Sequence, residues 1–346
     1  MVITKKYIKV FAKWHLKLLD NMKERLKILL LISLLLYSCS SDESEDIIGN
    51  WVERSDFEGV PRSGAVSFTI GEKAYLGTGY DGDDRLSDFW EYDPNLDFWK
   101  RLADFPGKAR NSAVGFSING KGYIGTGYDG NSELADFWEY DAATNTWDSI
   151  PSFPGSARYG AVAFSIMERG YVGTGYDGDN DLKDFWEYNP ESKSWEQIIS
   201  LGGSKRVDAV AFVVDDKAYV GTGRNNGVYE TDFWEFDPVS KSWTKKLELD
   251  EEDDYQIVRS DAIAFGLNGK GYIGTGTTGT NRLDFWEYDP TFDYWEQKTD
   301  IEGASRSDAV GFVVGGRPFV ATGKNGTFRF DDIWEFQPFY EFDEDD

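Results

Sequence analysis

Six arginines recur along this 346-residue chain, each three residues before an alanine: Arg62, Arg110, Arg158, Arg206, Arg259 and Arg306. Two residues after each arginine stand Gly64, Ser112 and Gly160 in the first three copies, and Asp208, Asp261 and Asp308 in the last three. Further along, a Gly-Thr-Gly element (Ala-Thr-Gly in the last copy) leads into Tyr80, Tyr128 and Tyr176, each opening a Tyr-Asp-Gly run. The last three copies have Arg224, Thr277 and Lys324 in that place. A guanidinium fork takes a carboxylate or another planar anion through two hydrogen bonds. Tyrosine rings beside arginine and aspartate suit stacking on a sugar and recognition of its hydroxyls.

Such groups repeat because the chain repeats. The Gly-Thr-Gly landmarks begin at Gly77, Gly125, Gly173, Gly221 and Gly274, with Ala321 opening the sixth, so the steps are 48, 48, 48, 53 and 47 residues. Each copy then carries a run such as Asp88-Phe89-Trp90-Glu91-Tyr92, the last being Asp332-Ile333-Trp334-Glu335-Phe336. A further tryptophan follows at Trp99, Trp147, Trp195, Trp243 and Trp295. Four short strands are expected per copy, in the first near 65–70, 73–79, 89–93 and 98–102, because each run is apolar or aromatic and bounded by turn residues such as Ile70-Gly71-Glu72 and Asp93-Pro94-Asn95. Such a unit cannot bury both faces alone, whereas radial stacking of copies covers every face and leaves only short edges.

These residues resemble the kelch repeat, with an arginine before the first strand, Tyr75 and Gly79 in the second, Tyr92-Asp93-Pro94 closing the third and Trp99 in the fourth. Gly-Thr-Gly in place of the usual glycine pair marks a divergent branch. The resemblance covers about residues 50–338 and implies an all-β, six-bladed kelch-type β-propeller of four-stranded blades. The sixth copy lacks its fourth-strand tryptophan, and the segment Gly49-Asn50-Trp51-Val52 supplies one. Trp51 stands five residues before Asp56-Phe57, as Trp99 stands before Asp104-Phe105. The N-terminal strand is therefore expected to complete the last blade.

Internal repetition separates scaffold from function. A residue present in every copy is explained by the blade, so the Phe-Trp-Glu-Tyr and tryptophan sets are assigned to packing. The six arginines have two readings, a ring of ion pairs with residues such as Asp88, or an anion-binding funnel at one mouth of the channel. Tyr80, Tyr128, Tyr176, Arg224, Lys324, Asp208, Asp261 and Asp308 break the repeat. They are expected on the same face as the arginines, one half aromatic and the other charged. Acidic loops such as Asp81-Gly82-Asp83-Asp84 lack the spacing and closing glutamate of a calcium-binding hand and read as solvated turns. The longer fourth-to-fifth connection, with Asp250-Glu251-Glu252-Asp253-Asp254, is expected to overhang the same face.

The N-terminal region has a different character. Lys23, Arg25 and Lys27 precede an apolar run from Ile28 to Leu36, the size of a signal-peptide core, and Leu36-Tyr37-Ser38-Cys39 resembles a lipobox. Residues 1–38 are thus expected to be a signal peptide, with Met22 a possible start, and Cys39 a lipidation site. Residues 39–47 read as an acidic linker similar to the export tag of Bacteroidetes-type surface lipoproteins, 48–338 as the propeller and 339–346 as an acidic tail. The expected location is the outer membrane, exposed at the cell surface.

Residues 1–38 hold eight Lys/Arg against two Asp/Glu, so the remaining 28 basic and 60 acidic residues leave −32 on the rest. That charge repels phosphate backbones, and nucleic acid is excluded as a partner. Cys39 and His15 are the only cysteine and histidine. The copper site of galactose oxidase, which also carries a kelch propeller, needs histidines and a cysteine-modified tyrosine and cannot be built here. Zinc sites of His or Cys and Ser-His-Asp or Cys-His catalysis are excluded likewise. No metal or cofactor is expected, and the chain is expected to be a monomer. Two functions remain: a binding module for a glycan or protein, and a sugar mutarotase or epimerase resembling the six-bladed kelch mutarotases of sialic acid. Carboxylate, arginine and tyrosine chemistry would suffice for the latter.

Overall fold

The computed structural model describes residues 48–250 and 255–343. The signal-peptide, Cys39 and linker expectations, Glu251–Asp254 of the long connection and the last three residues of the acidic tail lie outside them. Among the described residues no helix is long and apolar enough to cross a membrane.

Six four-stranded antiparallel sheets form the blades. In the first, Val66–Ile70, Lys73–Gly77, Phe89–Asp93 and Phe98–Arg101 pair in sequence order, with Phe68 opposite Tyr75 and Tyr92 opposite Trp99. Their bounds fall within two residues of the sequence expectation. The innermost strands Val66–Ile70, Val114–Ile118, Val162–Ile166, Val210–Val214, Ile263–Leu267 and Val310–Val314 contact one another in a closed circle. Their burial alternates, as expected where one face of a strand lines a channel and the other packs on the blade.

The last blade is built from Val310–Val314, Arg317–Ala321, Ile333–Gln337 and the N-terminal strand Asn50–Arg54. Trp51 lies opposite Phe336 and is fully buried, 4.9 Å from Phe285 and 4.7 Å from Phe336 between ring centres. Its indole N–H donates to the Thr299 carbonyl of the preceding blade. Ring closure by the first strand is thus observed. Phe339–Asp343, expected to be tail, instead lies along that strand, with Gly49 N donating to Tyr340 O and Asp343 N to Asn50 Oδ1.

Between blades the core is aromatic. Phe89 packs edge-on against Tyr140 and Trp147 of the next blade, and Phe137 meets Trp195 in the same way. Edge-to-face pairs of this kind add about 0.5–1.5 kcal/mol beyond burial. The repeated glutamates accept from tyrosines, Tyr123 Oη to Glu139 at 2.9 Å and Tyr272 Oη to Glu287 at 2.6 Å. The Phe-Trp-Glu-Tyr run is therefore structural throughout.

Candidate functional site

The antiparallel order places the arginines and the Tyr-Asp-Gly loops on one face of the ring and the turns between first and second and between third and fourth strands on the other. The six arginine side chains are fully buried. In Arg158, Nε donates to Ser156 O at 3.0 Å, Nη1 to Thr174 O and Asp184 Oδ1 at 2.8 and 2.7 Å, and Nη2 to Asp184 Oδ2 at 2.9 Å. The guanidinium also sits 4.7 Å from the Phe153 ring centre. Arg62, Arg110 and Arg306 make the same fork with Asp88, Asp136 and Asp332, whereas Arg206 and Arg259 reach the carboxylates of Asp232 and Asp284 through Nη2 alone, Nη1 donating to the aspartate's backbone carbonyl. Trp186 Nε1 donates to the same Asp184 carboxylate. The threonine that receives each Nη1 sits at φ between 57° and 61° in all six copies, a rare conformation for a β-branched residue that turns its carbonyl to the guanidinium.

The anion-funnel reading of Arg62, Arg110, Arg158, Arg206, Arg259 and Arg306 is corrected here. Each guanidinium is spent on its own blade, and none reaches the surface. Burial pushes Asp88, Asp136 and Asp184 up, but their arginine and tryptophan partners outweigh it and hold all three below the ordinary carboxylate value.

What lines the mouth is the residue two positions later. Gly64, Ser112, Gly160, Asp208, Asp261 and Asp308 have φ between 52° and 60°. Each amide donates to the carbonyl of its counterpart in the preceding blade: Ser112 to Gly64 at 2.8 Å, Asp208 to Gly160 at 2.9 Å and, closing the circle, Gly64 to Asp308 at 2.8 Å. Six blades are thereby tied by a continuous ring of six backbone hydrogen bonds. Glycine adopts this left-handed conformation freely and aspartate tolerates it. At Gly160 the choice is forced, since a Cβ there would stand 2.3 Å from Asp208 Oδ1. The ring surrounds a cavity of about 120 Å³ that continues into the alanine-lined channel.

On the charged half, Arg224 Nη2 lies 2.6 Å from Asp208 Oδ2 and Lys324 Nζ 2.9 Å from Asp308 Oδ2. Arg224 and Lys324 each begin a small hairpin, Arg224–Asn225 with Val228–Tyr229 and Lys324–Asn325 with Phe328–Arg329. Asp261 between them accepts from Ser260 Oγ at 2.8 Å. Burial, with the charge of Asp308, pushes the Asp208 carboxyl up to about 6 against the pull of Arg224. Burial and the charges of Asp208 and Asp308 push Asp261 well above the ordinary carboxylate range. Burial lowers Lys324, but the Asp308 carboxylate outweighs it and the ammonium is held above its usual range.

A carboxyl raised by folding binds its proton more tightly folded than unfolded. For Asp208 the resulting support for the fold is complete below the ordinary 3.8 and is lost as pH rises through about 6, and Asp261 shifts in the same direction. Asp261→Asn keeps the left-handed backbone and removes this penalty. The variant should gain stability over the parent as pH rises from 4 to 7, measured by urea unfolding across that range. A gap independent of pH would contradict the placement of the three carboxyls.

On the other half the tyrosines form an arc. Arg329 lies 5.4 Å from the centre of the Tyr80 ring, Arg85 lies 4.8 and 5.2 Å from Tyr80 and Tyr128, and Tyr159 bridges Tyr128 and Tyr176 at 5.7 and 5.6 Å. Each Tyr-Asp-Gly loop fixes its own ring, Tyr128 Oη donating to Gly130 O and Tyr176 Oη to Gly178 O. Asp81, Asp129 and Asp177 each accept two amides of their own turn, which accounts for the acidic loops structurally. Among the described residues no group of three or more His, Cys, Asp or Glu could hold a metal ion. Tyr159 and Arg85 escaped the sequence comparison. Tyr159 follows the repeated arginine, where the other copies have Ser63, Asn111, Val207, Ser260 and Ser307, so its aromatic outlier status was the available signal.

Residues 122–154, within the second blade, match the family model described as the Kelch motif. With six four-stranded blades closed in a ring, the repeat and the fold agree. The chain folds as a six-bladed β-propeller and carries a kelch motif. No curated protein matches it in sequence. A solved structure titled "Structure of YjhT" is similar to this propeller at a TM-score of 0.70 and 17% identity, over 81% of this chain and 96% of the other. That likeness concerns the fold.

Proposed function

We propose that this kelch propeller is a lipid-anchored, exported binding module that takes a glycan on the face carrying the tyrosine arc and the Asp208–Asp261–Asp308 trio. The charge of the trio carries this reading. A left-handed position needs only glycine or asparagine, yet three carboxyls stand together here, with Arg224 and Lys324 paired to the outer two and Asp261 without an ion pair among the described residues. Their retention opposite four tyrosines provides hydroxyl acceptors beside rings on which a sugar stacks. The mouth cavity admits a single substituent, so the ligand lies on the face and not in the channel. Cys39 supplies the anchor in this proposal, with outer-membrane, cell-surface placement, and the module acts as a monomer.

A glycan array probed with the labelled chain tests the proposal. The parent should retain a defined subset of glycans, and Tyr128→Ala/Tyr176→Ala should lose them. Each lost stacking contact is expected to cost roughly 1 kcal/mol, so the pair weakens binding tenfold or more. An array on which parent and double variant behave alike would contradict it.

Asp261 favours a second reading, a sugar mutarotase or epimerase. A carboxyl that burial and the charges of Asp208 and Asp308 push well above the ordinary range, hydrogen-bonded by Ser260, can exchange the proton that ring opening and closing require. Anomer exchange of free sialic acid, followed by NMR, should then be accelerated by the parent and not by Asp261→Asn. Equal rates with and without protein would remove this reading.

A further inference from the structure

The face opposite the tyrosine arc is also divided into two halves. In blades one to five the turn joining the third and fourth strands places two side chains at fixed positions, and in the sixth the chain that follows the third strand supplies the same two offsets. In blades two, three and four these are hydroxyl pairs in mutual contact: Thr144 with Thr146 at 2.8 Å, Ser192 with Ser194 at 2.7 Å and Ser240 with Ser242 at 2.8 Å. In blades one and five they are Leu96 with Phe98 and Phe292 with Tyr294, and in the sixth Tyr340 with Phe342. These six side chains are between 49% and 78% exposed, which is large for aromatic and aliphatic groups on one connected arc. Blades five, six and one are consecutive around the closed ring. Side chains tie them to one another's main chain: Arg317 Nη1 of the sixth blade donates to Pro94 O of the first, and Thr299 Oγ1 of the fifth to Gly49 O.

The centre of this arc is where the chain enters the propeller. Ile48, itself 47% exposed, precedes Gly49, whose amide donates to Tyr340 O within the arc. Eight residues, Ser40 to Ile47, separate Ile48 from Cys39. Fully extended they span less than about 30 Å. An acyl group on Cys39 would therefore keep the arc within one linker length of the bilayer surface, and the hydroxyl half would be tilted away.

We propose that the Leu96/Phe98, Phe292/Tyr294 and Tyr340/Phe342 arc rests in the headgroup region of the membrane to which Cys39 is anchored, and so aims the tyrosine and carboxylate face away from that membrane. The proposal rests on the lipid-anchor reading. The amphipathic rings of Tyr294 and Tyr340 favour this interfacial layer, and Leu96, Phe98, Phe292 and Phe342 supply the apolar surface beside them. The charge of −32 beyond residue 38 opposes anionic lipids, so the surface is a zwitterionic one. The orientation gives the two halves of the opposite face different roles, support on the apolar side and solvent exposure on the hydroxyl side.

The full acylated chain in phosphatidylcholine vesicles provides the test. Acylation consumes the only native cysteine, so single spin labels can be placed at Leu96→Cys or Phe292→Cys and, for comparison, at Thr144→Cys or Ser192→Cys. Collision with lipid-soluble oxygen relative to a water-soluble nickel complex should be severalfold higher at the two arc positions. Leu96→Ser/Phe292→Ser, labelled at Tyr340→Cys, should lower the ratio at that third position while the chain stays with the vesicles. Equal, water-like ratios at all positions would overturn the proposal. So would shielding of the arc from both reagents, the signature of a second copy or a protein partner. The mass of the Cys39 peptide decides the anchor separately: without an acyl group the anchor reading fails first, and this orientation fails with it.

Discussion

Replacing Arg158 by alanine should lower the free energy of unfolding by about 3–5 kcal/mol, the cost of leaving a buried carboxylate without its partner. Arg158 is fully buried and makes four hydrogen bonds, two of them to Asp184, and Asp184 also binds the Trp186 indole. Lysine cannot restore these bonds, since a single ammonium replaces a planar fork. Arg158→Lys should therefore recover only a minor part of the loss. The comparison is Arg101, whose pair with Asp104 is 58% and 51% exposed. Arg101→Ala should cost no more than about 0.5 kcal/mol. Because Asp184 is held below 3.8 when paired, its contribution is present above that pH and lost as pH falls further. The Arg158→Ala penalty, measured by denaturant unfolding, should accordingly be largest near neutrality and shrink toward pH 3. A penalty under 1 kcal/mol at pH 7 would mean that the arginines are not the pins of the blades.

Trp51→Ala should destabilise the propeller by about 3–5 kcal/mol, the range for truncating a large buried aromatic. Trp51 is fully enclosed, packs on Phe285 of the fifth blade and Phe336 of the sixth, and bonds to Thr299 O. Its strand joins the N-terminal end of the described chain to the last blade, so its loss opens the sixth blade. The equivalent Trp147 is only partly buried and lies within a blade continuous in sequence. Trp147→Ala should cost less, and deletion of residues 48–58 should cost more than Trp51→Ala. A deletion that melts at the parent's temperature would refute closure by the N-terminal strand.

The ring and its closure were legible because they are written in spacing. Tryptophans, the Asp-Phe-Trp-Glu-Tyr run and the arginines recur at nearly constant steps, and Trp51, five residues before Asp56-Phe57, stands where the missing sixth tryptophan is required. The same regularity left the arginines ambiguous. A residue before an innermost strand could point to the mouth or into the blade, and only the Asp184-type partner, 26 positions away, decides which. The hydrogen-bonded belt was invisible for another reason. Glycine, serine and aspartate share no chemistry that marks a position, and what unites Gly64, Ser112 and Asp208 is a positive φ. The asymmetry of the tyrosine and carboxylate halves was readable, but the bridging role of Tyr159 depends on ring contacts across blades that no spacing records.

The most direct measurement is a calorimetric titration of an array-selected glycan into the parent and three variants. Tyr128→Ala and Asp308→Asn alter the proposed binding face, and Ser192→Ala alters the hydroxyl half of the opposite one. Binding should be saturable for the parent, unchanged for Ser192→Ala and weakened about fivefold, near 1 kcal/mol, for each face variant. Unaltered binding by Tyr128→Ala and Asp308→Asn would place the ligand elsewhere and contradict the assignment of this face.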